Sequence, residues 1–376
     1  MSTTTSAPQS TLVWSDWRSQ IQHRITTLEG LRQWVNLTPE EEAAVAACAD
    51  RYQLSITPYY ASLMDRDNPN CPVRLQSMPA LQELAVFPNS DNDPVGDTIY
   101  RKTNRVVHKY PDRVIILVTD LCPVYCRHCT RKYHTSDTEG TYFGDAASAG
   151  WDADFAYIES HPEIRDVLLT GGDPLYLSDT RLERIISRLR QIPHVEIVRI
   201  GSRCPVFLPQ RITPELCAML EKYHPIWLNT HFNHPKEITP EAAAACDRLL
   251  RHGIPVQNQT VLLKGINDSV ETMRALLTGL LKIRVRPYYL YHCDNVVGVS
   301  HFMTTIEKGQ EIMRGLIGFM TGFAVPQYVL TTPLGKIPLW EPQYSPEDGG
   351  SVVNYRGERM SLKDFLPPST IEGNQP

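Results

Sequence analysis

The chain has 376 residues, with 37 Lys and Arg against 42 Asp and Glu, giving a net charge of −5. That length can bury a full catalytic core with an appendage, while the acidic balance and lack of a long basic run argue against nucleic acid as a partner. No apolar run nears the ~20 residues a membrane span needs and no secretory segment opens the chain, so no membrane role is expected, and a reducing cytoplasm is the expected location.

Met1 to Ser10 is polar and rich in Ser and Thr, the composition of a disordered tail. Residues 14–67 read as helices, with a capping box in Thr38-Pro39-Glu40-Glu41. Residues 68–105, rich in Pro, Asn and Asp, read as a long connection. From Arg113 the pattern alternates. Strands are predicted at Val114–Val118, Asp166–Thr170, Glu196–Ile200, Pro225–Thr230, Val256–Leu263 and Val285–Tyr291. Helices are predicted near 146–160, 179–191, 214–223, 240–252, 270–282 and 305–321, two of them capped by Thr213 and Thr239 before proline. Six strands each followed by a helix predict an α/β fold, a partial (βα)6 TIM-like barrel, although an open doubly wound sheet has the same alternation. After Tyr328 the rhythm is lost, and a hairpin is expected at 352–358. The expected organisation is a tail over 1–10, a helical region and connection over 11–105, the barrel over 106–325, and a lysine-bearing extension over 326–376.

Chemistry concentrates in a few places. Cys122, Cys126 and Cys129 leave the end of the first predicted strand in the spacing C-x3-C-x2-C. Iron–sulfur clusters are held by thiolates, and three ligands for a four-iron cubane leave one iron open for chemistry. A structural zinc site with His128 as fourth ligand is the rival, but zinc modules pair their ligands at two separated places and no second cluster is present. Of the nine cysteines, Cys217 and Cys246 fall in amphipathic helical patterns, as small core residues do. Gly171-Gly172-Asp173 follows the next strand, where absent Cβ atoms allow a close approach. Lys336 stands in Gly335-Lys336-Ile337-Pro338, a frame that can desolvate an amine and make it nucleophilic. Lys109, Tyr110 and Arg113 precede the first strand with two cations and a hydroxyl suited to a phosphate.

Taken together these segments resemble the lysine 2,3-aminomutase family of radical S-adenosylmethionine enzymes. The likeness spans roughly 105–340, through Tyr110-Pro-Asp-Arg-Val, Cys126-Arg-His-Cys-Thr-Arg131, Val195 to Arg203, Leu208 to Glu215, Trp227 to Pro235 and Val285 to Tyr289. The resemblance implies a radical-SAM-type barrel, a [4Fe–4S] cluster on the three cysteines, S-adenosylmethionine and pyridoxal 5′-phosphate. It implies S-adenosylmethionine contacts at Gly171, Gly172 and Asp173, with Asn258 and Gln259 near the adenosyl group. Lys336 matches the lysine that holds pyridoxal phosphate, with Lys109, Tyr110 and Arg113 on the phosphate side and Tyr291 beside the ring; Lys109 replaces an arginine. Arg131 matches the residue pairing with the substrate carboxylate. The expected reaction moves the amino group of a cationic L-α-amino acid, lysine before arginine, from C2 to C3. A radical dehydrogenase or eliminase is the enzymatic alternative, and a zinc-stabilised binding protein a distant one. An electron donor such as flavodoxin or ferredoxin and a homo-oligomeric state are also expected.

Two departures from the family pattern bear on specificity and metal. Its lysine-specific members hold the distal ammonium with two aspartates; Asp294 keeps one, but the other position is Thr331, in a segment two residues shorter before Lys336. Where some members carry an interfacial zinc cysteine, this chain has Ser269, and no cysteine follows Cys293, so zinc is not expected.

Overall fold

The computed structural model describes residues 11–135, 150–339, 344–345 and 351–362. The expected tail over 1–10 and positions 146–149 of the first predicted helix lie outside them. Nine strands form one sheet in sequence order: β1 (Val106–Tyr110), β2 (Arg113–Thr119), β3 (Asp166–Gly171), β4 (Ile197–Gly201), β5 (Ile226–Thr230), β6 (Val256–Leu262), β7 (Arg286–His292), β8 (Gln327–Thr332) and β9 (Gly335–Pro338). β2 to β8 run parallel, while β1 and β9 pair antiparallel at the two edges. The sheet is nearly closed into a barrel.

Six of these strands stand where the alternation predicted them. β8 is a seventh parallel strand, and β1 and β9 turn back on their neighbours, which periodicity did not reveal. Lys109 to Arg113, read as a charged approach to the first strand, is the β1–β2 hairpin, with Tyr110 opposite Arg113. The segment from 326 adds two strands to this same sheet. The hairpin expected at 352–358 forms: β11 (Ser351–Val353) pairs with β12 (Arg359–Ser361), and β10 (Tyr344–Ser345) lies beside β11.

Period two explains the barrel wall. Val114, Ile116, Val167, Leu169, Val198, Ile200, Ile226, Leu228, Val256 and Leu262 are fully buried beneath Leu182, Ile185, Leu189, Leu216, Leu220, Leu249, Met273, Leu276 and Leu280 of the covering helices. The opposite phase carries Arg113, Arg199, Gln257, Gln259, Tyr289 and Tyr291, all partly accessible or half-buried. Beside apolar Ile115, Leu168 and Trp227, this face carries cations, amides and phenols, groups able to bind a polar ligand. Burying a Leu or Ile in the outer layer contributes ~1.5–3 kcal/mol, which gives the lumen side freedom to be polar.

The helices begin where their caps dictate. Thr38 accepts from the Glu41 N–H at 3.2 Å and Glu41 accepts from the Thr38 N–H at 2.8 Å, closing the capping box. Thr213, Thr239 and Ser269 cap 214–221, 240–251 and 270–282. Ser269 is thus occupied as a helix cap. Cys217 and Cys246 are free and buried in the main core, as their spacing suggested. No helix among the described residues is long and apolar enough to cross a membrane.

Candidate active site

The cysteine loop leaves β2 and is held from outside the barrel. Ser55 Oγ donates to the Pro123 carbonyl at 2.8 Å, and the Tyr125 N–H donates to the Ser55 carbonyl at 3.1 Å. The Arg127 N–H donates to the Gln76 carbonyl at 2.9 Å, and its guanidinium grips Glu83, which also meets Lys132. Glu83 is buried, yet the two cations outweigh desolvation and hold its carboxyl below the ordinary range. The N-terminal helices and the 68–105 connection are therefore a brace for the cysteine loop.

The cysteines' charges act on one another, and burial pushes the Cys122 and Cys129 thiols up when no metal is bound. Iron at the sulfur reverses that logic. Among the described residues, the only His, Cys or carboxylate trio with ligand atoms mutually within 4.8 Å is Asp93, Asp97 and His134. The three thiols are thus not drawn in to one small ion, and an all-thiol set spread along a loop suits a larger cluster. His128 does not join them. Its Nε2 meets Asn233 Nδ2 at 3.2 Å, its ring packs edge-on against Phe302, and burial keeps the imidazole neutral.

Gly171 and Gly172 are needed for backbone approach, but the partner is the cysteine loop. A Cβ at Gly171, where φ is +111°, would lie 2.4 Å from the Thr119 carbonyl; one at Gly172 would lie 2.4 Å from that of Leu121. The Gly172 N–H donates to Thr119 at 2.6 Å and the Asp173 N–H to Leu121 at 2.9 Å. These two N–H groups hold the loop against the end of β3. The Asp173 carboxylate accepts from the Leu175 N–H, Ser202 Oγ and the Arg203 N–H, fastening β3 to β4.

Asn258 is fully buried, accepting from the Phe232 N–H at 2.7 Å and donating to the Phe232 carbonyl and Thr260 Oγ1. It clamps the loop after β5. Gln259 points into the lumen and meets His231 Nε2 at 3.4 Å. Desolvation, with the Arg203 charge behind it, lowers the His231 pKa to about 4, so this ring is neutral at physiological pH.

At the barrel seam, β1 and β9 share no ladder and meet through side chains. Tyr110 Oη accepts from the Lys336 N–H at 2.9 Å. Lys109 Nζ donates to the Val95 carbonyl at 2.8 Å and to the Thr332 carbonyl. Lys109 thus anchors the hairpin carrying Lys336, a role its position before the first strand did not show. Thr331 pairs across that hairpin with Lys336. Lys336 Nζ lies 5.6 Å from the Tyr110 ring centre and 6.0 Å from those of Tyr289 and Tyr291. Desolvation, then the charges of Arg113, Arg199, Arg131 and Lys109, bring its pKa down to about 8. A half-buried amine ringed by cations fits an anionic, carbonyl-bearing ligand. Arg113 stacks on the Tyr110 ring at 3.9 Å, and Arg199, held by Asp166 at 2.8 Å, completes the basic wall. Sequence reading missed Arg199, although its alternation with buried Val198 and Ile200 marks a lumen position.

Asp294 follows β7. Its Oδ2 accepts from Thr130 Oγ1 at 2.5 Å, while Oδ1 is buried with no partner. Burial raises its pKa to about 6 against the pull of Thr130, Arg131, Lys336 and Lys109. Arg131 donates from Nε to Asp97 at 2.7 Å, which fixes the guanidinium plane. Lys336, Asp294 and Arg131 therefore act electrostatically on one volume, although they are up to 205 positions apart in the chain.

Residues 116–277 match the family model of the Radical SAM superfamily. The chain is 48% identical to the L-lysine 2,3-aminomutase of Acetoanaerobium sticklandii over 94% of its own length and 83% of that protein's. It is 48% identical to the L-lysine 2,3-aminomutase of Bacillus subtilis, covering 96% of this chain and 76% of that protein. The glutamate 2,3-aminomutase of Clostridioides difficile is 42% identical over 93% of this chain and 83% of its own. The family implies a [4Fe–4S] cluster and S-adenosylmethionine, and the all-thiol donor set on the β2 loop fits the former. With that site on the active face of the barrel and such identity along nearly the whole chain, the protein belongs to the L-lysine 2,3-aminomutase family of radical S-adenosylmethionine isomerases.

Proposed function

We propose that the protein is a pyridoxal-phosphate-dependent 2,3-aminomutase for an L-α-amino acid with a cationic side chain, lysine first. The observation carrying this reading is Asp294, a half-buried carboxylate whose Oδ1 is itself buried and has no partner. A buried carboxylate oxygen without a partner is costly, and a substrate cation would supply what it lacks. Cys122, Cys126 and Cys129 would hold three irons of the cluster. Gln259 and neutral His231 are the lumen groups left for the adenosyl moiety, with Asn258, Asp173, Gly171 and Gly172 supporting them from behind. Lys336 would hold pyridoxal phosphate, with Tyr110, Arg113 and Arg199 facing the phosphate and Tyr291 beside the ring.

When bound, the cluster and S-adenosylmethionine supply hydrogen abstraction, and pyridoxal phosphate supplies the π-system over which nitrogen moves from C2 to C3. The chain's own residues prepare that chemistry. Lys336 loses its proton near pH 8 and so offers a free amine at modest cost. Arg131, oriented by Asp97, fixes the α-carboxylate and with it the face from which C3 is presented. Asp294 fixes the far end, and the lumen excludes water from the reacting atoms.

Arginine is the second reading, favoured by Thr331: one carboxylate and one hydroxyl suit a delocalised cation with several donors better than a compact ammonium. Anaerobically reconstituted protein incubated with single amino acids should convert lysine or arginine to its β-isomer. Glutamate or alanine as the best substrate would overturn the cationic reading and leave the family membership intact.

A further inference from the structure

Arg203 follows β4 in Gly201-Ser202-Arg203, at the same end of the barrel as the cysteine loop. Its guanidinium is buried and fixed on several sides. Nε donates to the His231 carbonyl at 2.9 Å, and Nη2 donates to Gln76 Oε1 at 2.6 Å and Glu237 Oε1 at 2.7 Å. Glu237 is itself held by Tyr60 Oη at 2.7 Å and by the N–H groups of Asn233 and His234 at 2.6 and 2.9 Å. The remaining nitrogen, Nη1, lies 2.8 Å from Cys126 Sγ. The fork is immobilised by its other donors, so the charge cannot turn away from the sulfur.

We propose that Arg203 is a positioning residue that sets the reduction potential of the iron–sulfur cluster through a charge-assisted hydrogen bond to the Cys126 sulfur. The inference rests on Cys126 being a cluster ligand, as proposed above. On reduction the cluster takes one electron from an external one-electron donor; its negative charge grows by one, and no bond is made or broken. A fixed cation donating to a ligand sulfur favours the more negative state, and burial keeps water from screening it. Through Gln76 and Tyr60 the same guanidinium links the N-terminal brace to the cluster.

The test is an EPR-monitored redox titration of the full chain, reconstituted anaerobically, beside R203K and R203Q. With iron content equal to wild type, the midpoint potential should fall in R203K, which cannot keep the whole fork, and fall further in R203Q. Wild-type potentials in both variants overturn the proposal. If R203Q fails to retain iron, R203K decides alone: a lower potential supports the proposal and an unchanged one overturns it. A Cys126→Ala protein with full iron and a wild-type potential would overturn the ligand assignment itself.

Discussion

Asp294 sets the terms at the scale of the residue. Its carboxyl titrates near pH 6 because burial disfavours the charge, and the charged form is the one that binds a cation. kcat/KM for the cationic substrate should therefore fall as pH drops through about 6, and the Asp294→Asn profile should lack that limb. Asp294→Ala should lower kcat/KM by ~10- to 200-fold, with little effect on S-adenosylmethionine binding measured separately. Stability should move the other way. A native pKa above the unfolded value costs nothing well below pH 4, and the full cost is present above about pH 6. The rise from 3.8 to about 6 corresponds to roughly 3 kcal/mol at about 1.4 kcal/mol per pKa unit. Asp294→Asn should accordingly raise the unfolding midpoint at pH 7, in the direction of that cost, while lowering kcat/KM for the cationic substrate. A lower midpoint would mean that the carboxylate stabilises the empty site.

Between strands and loops, two close approaches hold the site together. The Gly171–Gly172 end of β3 presses on the cysteine loop, so Gly171→Ala must move the Thr119 carbonyl and adopt a strained φ, costing ~1–3 kcal/mol. Iron uptake on reconstitution should drop in that variant, while far-UV circular dichroism stays unchanged; full iron uptake would show that the loop yields freely. The Lys109 anchor acts on the other side of the lumen. Lys109→Met removes the tie to Val95 and Thr332 and should loosen the β8–β9 hairpin. Pyridoxal phosphate should then dissociate faster, read from its absorbance after gel filtration, with the iron content unaltered.

For the molecule as a whole, the brace and the barrel form one unit around Glu83. Arg127 and Lys132 converge on this carboxylate, and all three side chains are no more than 3% exposed. Glu83→Gln leaves two buried cations with a neutral partner, a change that costs ~3–5 kcal/mol when buried pairs are broken. The midpoint of denaturant unfolding should fall accordingly; an unchanged midpoint would show that water reaches the pair.

The sequence alone determined what depends on local pattern. Period two and period 3.6 placed six of the parallel strands and their helices, caps marked the helix starts, and the cysteine spacing pointed to the radical S-adenosylmethionine family. Tertiary structure decided what depends on partners distant in the chain. β1 and β9 escaped notice because edge strands pair by position rather than by an apolar run, and β8 because it lies beyond the last β/α repeat. Asn258, Asp173 and Lys109 read as ligand groups in sequence, and the fold adds to each a bond to backbone brought up by another segment. Arg203, His231 and Arg199 lie in segments that carry the family likeness without a role of their own there, and they gain one only from Cys126, Gln259 and Lys336 across the lumen. A side chain's type fixes which bonds it can make, but only the packed chain fixes which of them are already made.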